Sequence, residues 1–162
     1  MDSLARELAL STVLVAATVV IHLIGLDILL RLTGLHVRRF KSQWADVDRL
    51  IVPLGIVIGL FVVHGVEIWL YAGAFWMLGL LPTAEAALYV STSAYSTLGE
   101  SGQVLPEGWR IVGALEAVNG MLLIGWSTAF LFYVLNRLLE PTEEADHPLP
   151  RGAIARKGRP RG

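Results

Sequence analysis

The residues with the clearest capacity for chemistry lie between positions 96 and 102, in the sequence STLGESG. Two hydroxyl side chains, Ser96 and Thr97, precede Gly99, and Glu100 supplies a carboxylate directly after it. A cation that has lost its water needs several oxygen ligands at once, and hydroxyl, carbonyl and carboxylate oxygens are all available here. Glycine also allows the backbone angles that turn successive carbonyl oxygens to one side. We therefore interpret this segment as a candidate cation pathway.

Enzyme chemistry finds little support in the sequence. The chain has no cysteine, which excludes disulfides, thiolate nucleophiles and cysteine-ligated metal sites. No Gly-x-Ser-x-Gly elbow or phosphate-binding loop is present. The histidines form no His-x-x-x-His or Glu-x-x-His metal motif; they are His22, His36, His64 and His147. We predict a protein that is not an enzyme and has no cofactor other than cations, and the net charge of −1 gives no argument for nucleic acid.

Three long apolar segments must position the candidate pathway. They run from about 8 to 32, from about 50 to 76 and from about 111 to 135. Each exceeds the roughly 20 helical residues that cross about 30 Å of hydrocarbon. The first is too long for the core of a signal peptide and lacks a convincing cleavage site. The sequence therefore predicts an all-α integral membrane protein with three transmembrane helices.

The basic residues predict the orientation of these helices. The linker after the first span and the segment after the third hold all but two of the 13 lysines and arginines; the two exceptions are Arg6 and Arg110. The positive-inside rule places such segments in the cytoplasm. We expect a multi-pass protein of the cell (inner) membrane, in contact with membrane lipids, with its N-terminus outside and its C-terminus cytoplasmic.

The chain divides into four parts around these spans. They are an N-terminal transmembrane helix (1–33), a cytoplasmic interfacial linker (34–49), the part that holds the candidate pathway (50–140) and a polar tail predicted to be disordered (141–162). In the linker, Phe40, Trp44 and Val47 recur at i, i+4 and i+7 beside basic residues. They predict a short helix in the inner headgroup layer or serve only as topological anchors.

A short helix is predicted between the second and third spans. Pro82 and Thr83 end the preceding helix, and Thr83 is of the type that caps the next one. The helix over 84–95 is too short to cross a membrane but suits a re-entrant half-helix. Residues 96–102 would form a filter loop, because non-helical backbone at membrane depth is tolerated only where it is buried or lines water. The inner helix follows over 109–139.

The order of helix, half-helix, extended Thr-Leu-Gly strand and helix over residues 50–137 resembles the pore module of the potassium-channel superfamily. YSTLGESG stands where those channels carry a Thr-Val-Gly-Tyr-Gly-Asp type of filter, and the wider sequence looks like small bacterial channel-like proteins with an additional N-terminal helix. The resemblance covers just over half the chain and implies a homotetramer, whose four chains close rings of backbone oxygens around one axis. It assigns the ion pathway to Ser96, Thr97, Leu98, Gly99, Glu100 and Ser101.

The outer half of this filter departs from the potassium pattern. Glu100, Ser101 and Gly102 stand where the family carries Tyr-Gly-Asp, and TLGES is similar to the filter of cyclic-nucleotide-gated channels. We expect weak selectivity among monovalent cations such as K⁺ and Na⁺, with Ca²⁺ bound, permeating or blocking at a metal-binding ring of Glu100 carboxylates. Each pair in that ring would repel by about 2 kcal/mol at about 8 Å and an effective dielectric of about 20. Alternatively, Glu100 turns aside and bonds to neighbouring backbone amides.

Polar residues in the flanking spans are predicted to support the filter. His64 and Glu67 lie three apart on one helical face, and Glu116 and Asn119 do the same in the third span. We expect a hydrogen-bonded network between the spans and the half-helix, formed by His64, Glu67, Ser93, Tyr95, Glu116 and Asn119. A proton relay is the alternative role for His64 and Glu67.

The remaining polar and glycine positions allow simpler interpretations. Asp27 and Arg31 form an i, i+4 pair of opposite charge. His22 stands alone at mid-depth of the first span and is interpreted as a satisfied buried histidine, with a sensor as the alternative. Gly120 and Gly125 are candidates for a hinge in the inner helix or for close helix packing.

Two other functions compete with a channel. One is a non-conducting pore-loop scaffold or accessory subunit. The other is a proton or small-solute pathway that uses His64 and Glu67.

Overall fold

The computed structural model describes residues 2–39, 45–99 and 104–139, and these residues are mainly helical with no strand among them. The longer helices among them are α1 (Asp2–Arg39), α2 (Ala45–Met77), α3 (Ala84–Tyr95) and α4 (Arg110–Leu139), and a 3₁₀ turn (Glu107–Trp109) precedes α4. The stretches Leu4–Gly34, Ile51–Met77 and Glu107–Arg137 are long and apolar enough to cross a membrane. The predicted all-helical class is thereby confirmed, and the structure has the three long apolar helices that the sequence predicts.

The distribution of side chains is that of a membrane protein. Large apolar residues such as Val13, Phe61 and Leu122 lie exposed on the outside of the bundle. Glu67 and Glu116 are fully buried inside it. Ionisable side chains within transmembrane segments face the interior of a bundle, since lipid offers them no partner.

The linker between α1 and α2 is shorter than predicted, because both helices extend into residues 34–49. The residues that follow the first apolar segment contain good helix formers and no proline, so nothing in the sequence stops α1 at its apolar end. Val47 belongs to α2. The other two members of the predicted interfacial pattern, Phe40 and Trp44, lie outside the described residues.

The end of α1 carries the ion pair predicted from its spacing. Arg31 Nε lies 2.8 Å from Asp27 Oδ2, and both side chains are exposed. An exposed pair of this kind contributes at most about 1 kcal/mol. The predicted disordered tail, residues 141–162, lies outside the described part of the chain.

Close contacts between glycines and side chains hold α1 against α2. A Cβ atom at Gly25 would lie 2.5 Å from Val63 Cγ2, and one at Gly59 would lie 2.3 Å from Leu29 Cδ2. Each glycine therefore receives a side chain of the other helix, which is the usual way that helices approach closely in membranes.

The short helix α3 packs between α2 and α4, and it occupies the residues for which the sequence predicts a helix. Thr83 is its N-cap: the backbone is extended there, and the hydroxyl accepts a hydrogen bond of 3.1 Å from Ala86 N. This bond satisfies one of the amides that the first turn leaves without a partner.

Candidate functional site

Five buried or half-buried polar residues, one or more from each helix, meet at the C-terminal end of α3. Tyr95 is the last residue of α3, and its hydroxyl donates a hydrogen bond to Glu67 Oε2. The other oxygen, Glu67 Oε1, lies 2.9 Å from His22 Nδ1. His64 Nδ1 lies 3.1 Å from Glu67 Oε2 and 2.8 Å from the Tyr95 hydroxyl, and His64 Nε2 lies 2.9 Å from Ser127 Oγ. We name this group the Glu67 cluster.

The Glu67 cluster compensates the burial of a carboxylate. The Glu67 side chain is fully buried, and both of its oxygens have hydrogen-bonding partners. The Tyr95 hydroxyl donates its hydrogen to Glu67 Oε2, and the two histidine nitrogens lie within hydrogen-bonding distance of the same carboxylate. A buried carboxylate with several donors is stable, whereas one that loses a donor carries a large desolvation cost.

A second polar contact joins α3 to α4 one helical turn before the cluster. The Ser91 hydroxyl lies against Glu116 Oε1 and is 2.9 Å from the carbonyl oxygen of Ile68. The other carboxyl oxygen, Glu116 Oε2, is buried and has no hydrogen-bond partner among the described residues. This glutamate therefore has far fewer donors than Glu67.

Asn119 does not take part in either contact with α3. Its Nδ2 lies 2.8 Å from Thr18 Oγ1 and 3.4 Å from the Tyr71 hydroxyl, so it connects α4 to α1 and α2. The step of three positions from Glu116 to Asn119 leaves the two side chains about 60° apart around the helix, which is enough to turn Asn119 from α3 towards α1. The single network expected from the sequence is therefore three separate groups.

His22 is a satisfied buried histidine, as the sequence predicts, but it does not stand alone. It is fully buried, bonds to Glu67, and its ring centroid lies 5.4 Å from that of His64. The error follows from the length of the linker. Both α1 and α2 are longer than predicted. Counted from the linker that joins the two helices, His22 and His64 therefore lie at nearly the same distance along them. The sequence contains one signal for this contact, because a polar residue within a membrane span usually has a polar partner.

The candidate filter begins as a turn that closes α3. Thr97 N donates to Ala94 O and Leu98 N donates to Ser93 O, both at 2.9 Å, which is the Schellman arrangement. Thr97 takes the left-handed position with φ 61°, and Gly99 has φ 87°. The left-handed conformation costs a residue with a Cβ about 1–2 kcal/mol. Over residues 96–99 the backbone is thus a helix-ending turn and not the extended strand expected from the sequence.

The side chains of this turn are only partly available to an ion. Ser96 Oγ lies 2.7 Å from Thr92 O, so its hydroxyl donates back to α3. Leu98 is largely exposed. Glu100 and Ser101, the outer residues of the candidate filter, lie outside the described residues.

A cavity of about 540 Å³ opens between α2, α3 and α4. Its polar wall is formed by His64, Thr92, Tyr95, Ser96, Ser127 and Thr128, and the remaining wall is mainly apolar. The cavity thus joins the Glu67 cluster to the beginning of the candidate filter.

No family model matches the chain, and neither a curated protein nor a solved structure is similar to it.

Proposed function

We propose that the protein is one subunit of a tetrameric, potassium-channel-like cation channel with weak selectivity among monovalent cations and a divalent-binding ring at Glu100. The observation that carries this proposal is the position of α3. It has 12 residues, packs between two helices long enough to span a membrane, and buries Ala87, Val90 and Ala94. A helix of this length cannot cross the membrane, and its place between two long apolar helices supports a re-entrant half-helix.

The contacts at the end of α3 support a pore-helix role. Tyr95 is fixed by Glu67 and His64, so the chain leaves the helix at a defined place. The following turn holds Thr97 in a left-handed conformation. Strained backbone of this kind persists where the surrounding structure enforces it, and it clusters at functional sites. The C-terminal end of a helix also carries partial negative charge, which favours a cation beside it.

Ion flux from liposomes that hold the purified protein tests the proposal. We expect flux of K⁺ and Na⁺ at similar rates, with inhibition by millimolar Ca²⁺. Glu100→Gln should weaken the Ca²⁺ effect at least about tenfold, which corresponds to about 1.4 kcal/mol. The matched control is Glu107→Gln, which removes an exposed carboxylate and should leave Ca²⁺ inhibition unchanged.

The other outcomes discriminate between the competing functions. A protein that passes no ion at any voltage or ionic condition is a scaffold or accessory subunit. Uptake driven only by a pH gradient, and lost in His64→Gln, indicates the proton pathway. A native mass other than that of four chains contradicts the tetramer.

A further inference from the structure

The two histidines of the Glu67 cluster present equivalent atoms to the same two partners. Each Nδ1 faces one oxygen of Glu67, at 2.9 Å from His22 and 3.1 Å from His64. Each Nε2 faces Ser127 Oγ, at 3.4 Å from His22 and 2.9 Å from His64. Two imidazoles from different helices therefore converge on one carboxylate through one nitrogen and on one hydroxyl through the other.

One hydrogen is missing when both histidines are neutral and both Nδ1 atoms donate to Glu67. A neutral histidine carries one ring hydrogen, and in this tautomer it lies on Nδ1 of both His22 and His64. Both Nε2 atoms are then acceptors. Ser127 has a single hydroxyl hydrogen, which can serve only one of them. One of the two contacts with Ser127 is left without a hydrogen.

A metal ion bound to the Nδ1 atoms changes this count. Both histidines then carry their hydrogen on Nε2, and both donate to Ser127 Oγ, which can accept two bonds. Histidines that bind metals usually donate their other ring N–H to an oxygen, which fixes the orientation of the ring. Both rings place Nε2 towards Ser127, which is compatible with Nδ1 binding a metal ion.

We propose that His22, His64 and Glu67 form a binding site for one divalent transition-metal ion of the zinc class. Two imidazoles and a carboxylate form a donor set that suits zinc, with a fourth position left for another ligand. One donor atom of each residue lies within 4.8 Å of those of the other two. Tetrahedral bonds of about 2.0–2.1 Å place neighbouring ligands about 3.3 Å apart, so the donor atoms must approach one another by at most about 1.5 Å to hold the ion. A dication also compensates the buried charge of Glu67.

The structure provides a route for the ion and a consequence of its binding. His64 is half-buried and lies on the wall of the 540 Å³ cavity, which opens to the surface of the chain. The bound ion would tie α1 to α2 beside Tyr95, the residue that ends α3. The site does not depend on ion conduction, so it stands or fails independently of the proposed channel.

Equilibrium dialysis of the purified, tag-free full chain against Zn²⁺ tests the site. We expect one Zn²⁺ per chain. His22→Gln and His64→Gln should each weaken binding by about 100-fold or more, and Ser127→Ala by about tenfold, as for other residues that orient a ligand. His36→Gln and His147→Gln are the matched controls and should bind as the unaltered chain does.

X-ray absorption of the Zn²⁺-loaded unaltered chain avoids any variant that fails to fold. The expected spectrum contains two imidazole ligands and oxygen ligands. Zinc binding that survives both His22→Gln and His64→Gln overturns the assignment. So does a spectrum without two imidazoles, or a chain that binds no Zn²⁺ at all.

Discussion

Gly120 packs directly against the backbone of Tyr95: a Cβ atom at position 120 would lie 2.4 Å from the Tyr95 carbonyl oxygen. The last residue of α3 is thereby held on one side by α4, while its hydroxyl is held by Glu67 on α2. This contact supports the packing interpretation of Gly120. At Gly125 the added atom would have no neighbour within 4 Å in the described part of the chain.

Gly120→Ala should destabilise the protein, because the added methyl group meets backbone atoms that cannot move away as a side-chain end can. Overpacking of this kind costs about 1–3 kcal/mol. The melting temperature in detergent, followed by tryptophan fluorescence, measures the effect. Gly125→Ala is the control and should melt close to the unaltered protein. Equal melting of both variants would show that α4 does not hold α3 at this point.

Glu67→Gln should lower stability by about 1–3 kcal/mol, since the amide cannot accept from all the donors around it. Tyr95→Phe removes the most direct of these donors. The two substitutions should be non-additive when combined, with a coupling of about 0.5–3 kcal/mol in a double-mutant cycle. Glu107→Gln, at an exposed site, should have almost no effect. Additive losses would mean that the hydroxyl and the carboxylate do not interact.

Glu116 should be protonated and should tolerate replacement by glutamine. Ser91 has one hydroxyl hydrogen for two nearby acceptors, and Glu116 Oε2 is buried without a hydrogen-bond partner among the residues described. A buried carboxylate so poorly provided with donors is costly in its charged form. The infrared spectrum should therefore contain the carbonyl stretch of a protonated carboxylic acid. That band should vanish in Glu116→Gln and persist in Glu67→Gln; its presence in both would refute the assignment.

Glu7→Ala should weaken the junction between α1 and α4. Glu7 Oε2 lies 3.2 Å from Ile111 N, in the first turn of α4, where backbone amides lack helical partners and negative charge is favourable. We expect a loss of about 1 kcal/mol in the free energy of unfolding. Glu7→Gln retains an acceptor and should lose less. If Ala and Gln substitutions are equally harmless, the capping bond contributes nothing.

Local signals made much of the fold predictable. The three spans follow from length and hydrophobicity alone, and the start of α3 follows from the capping hydroxyl of Thr83. Both are properties of short stretches of sequence. Residues 96–99 show the limit of that approach. Thr-Leu-Gly predicts an extended strand, whereas Thr97 belongs to the turn that ends α3.

Contacts between distant residues were harder to predict, because they depend on how far each helix is rotated and shifted. His64, Glu67 and Tyr95 could be grouped by their depth in the membrane. His22 could not be placed with them while the ends of α1 and α2 were misjudged. Spacing along α4 groups Asn119 with Glu116, but it does not tell which neighbouring helix each side chain faces. In the structure Asn119 faces α1 and α2.

The buried polar side chains of α1 become satisfied at different times as the helices are synthesised; these side chains are Glu7, Ser11, Thr18 and His22. Ser11 and Thr18 donate to carbonyls of their own helix, so these hydroxyls are satisfied as soon as α1 has formed. Glu7 and His22 instead find their partners on α4 and α2, which leave the ribosome later. During that interval α1 holds two polar groups that lipid cannot satisfy. We therefore expect α1 to enter the bilayer incompletely stabilised, with His22 paired once α2 follows and Glu7 only once α4 does.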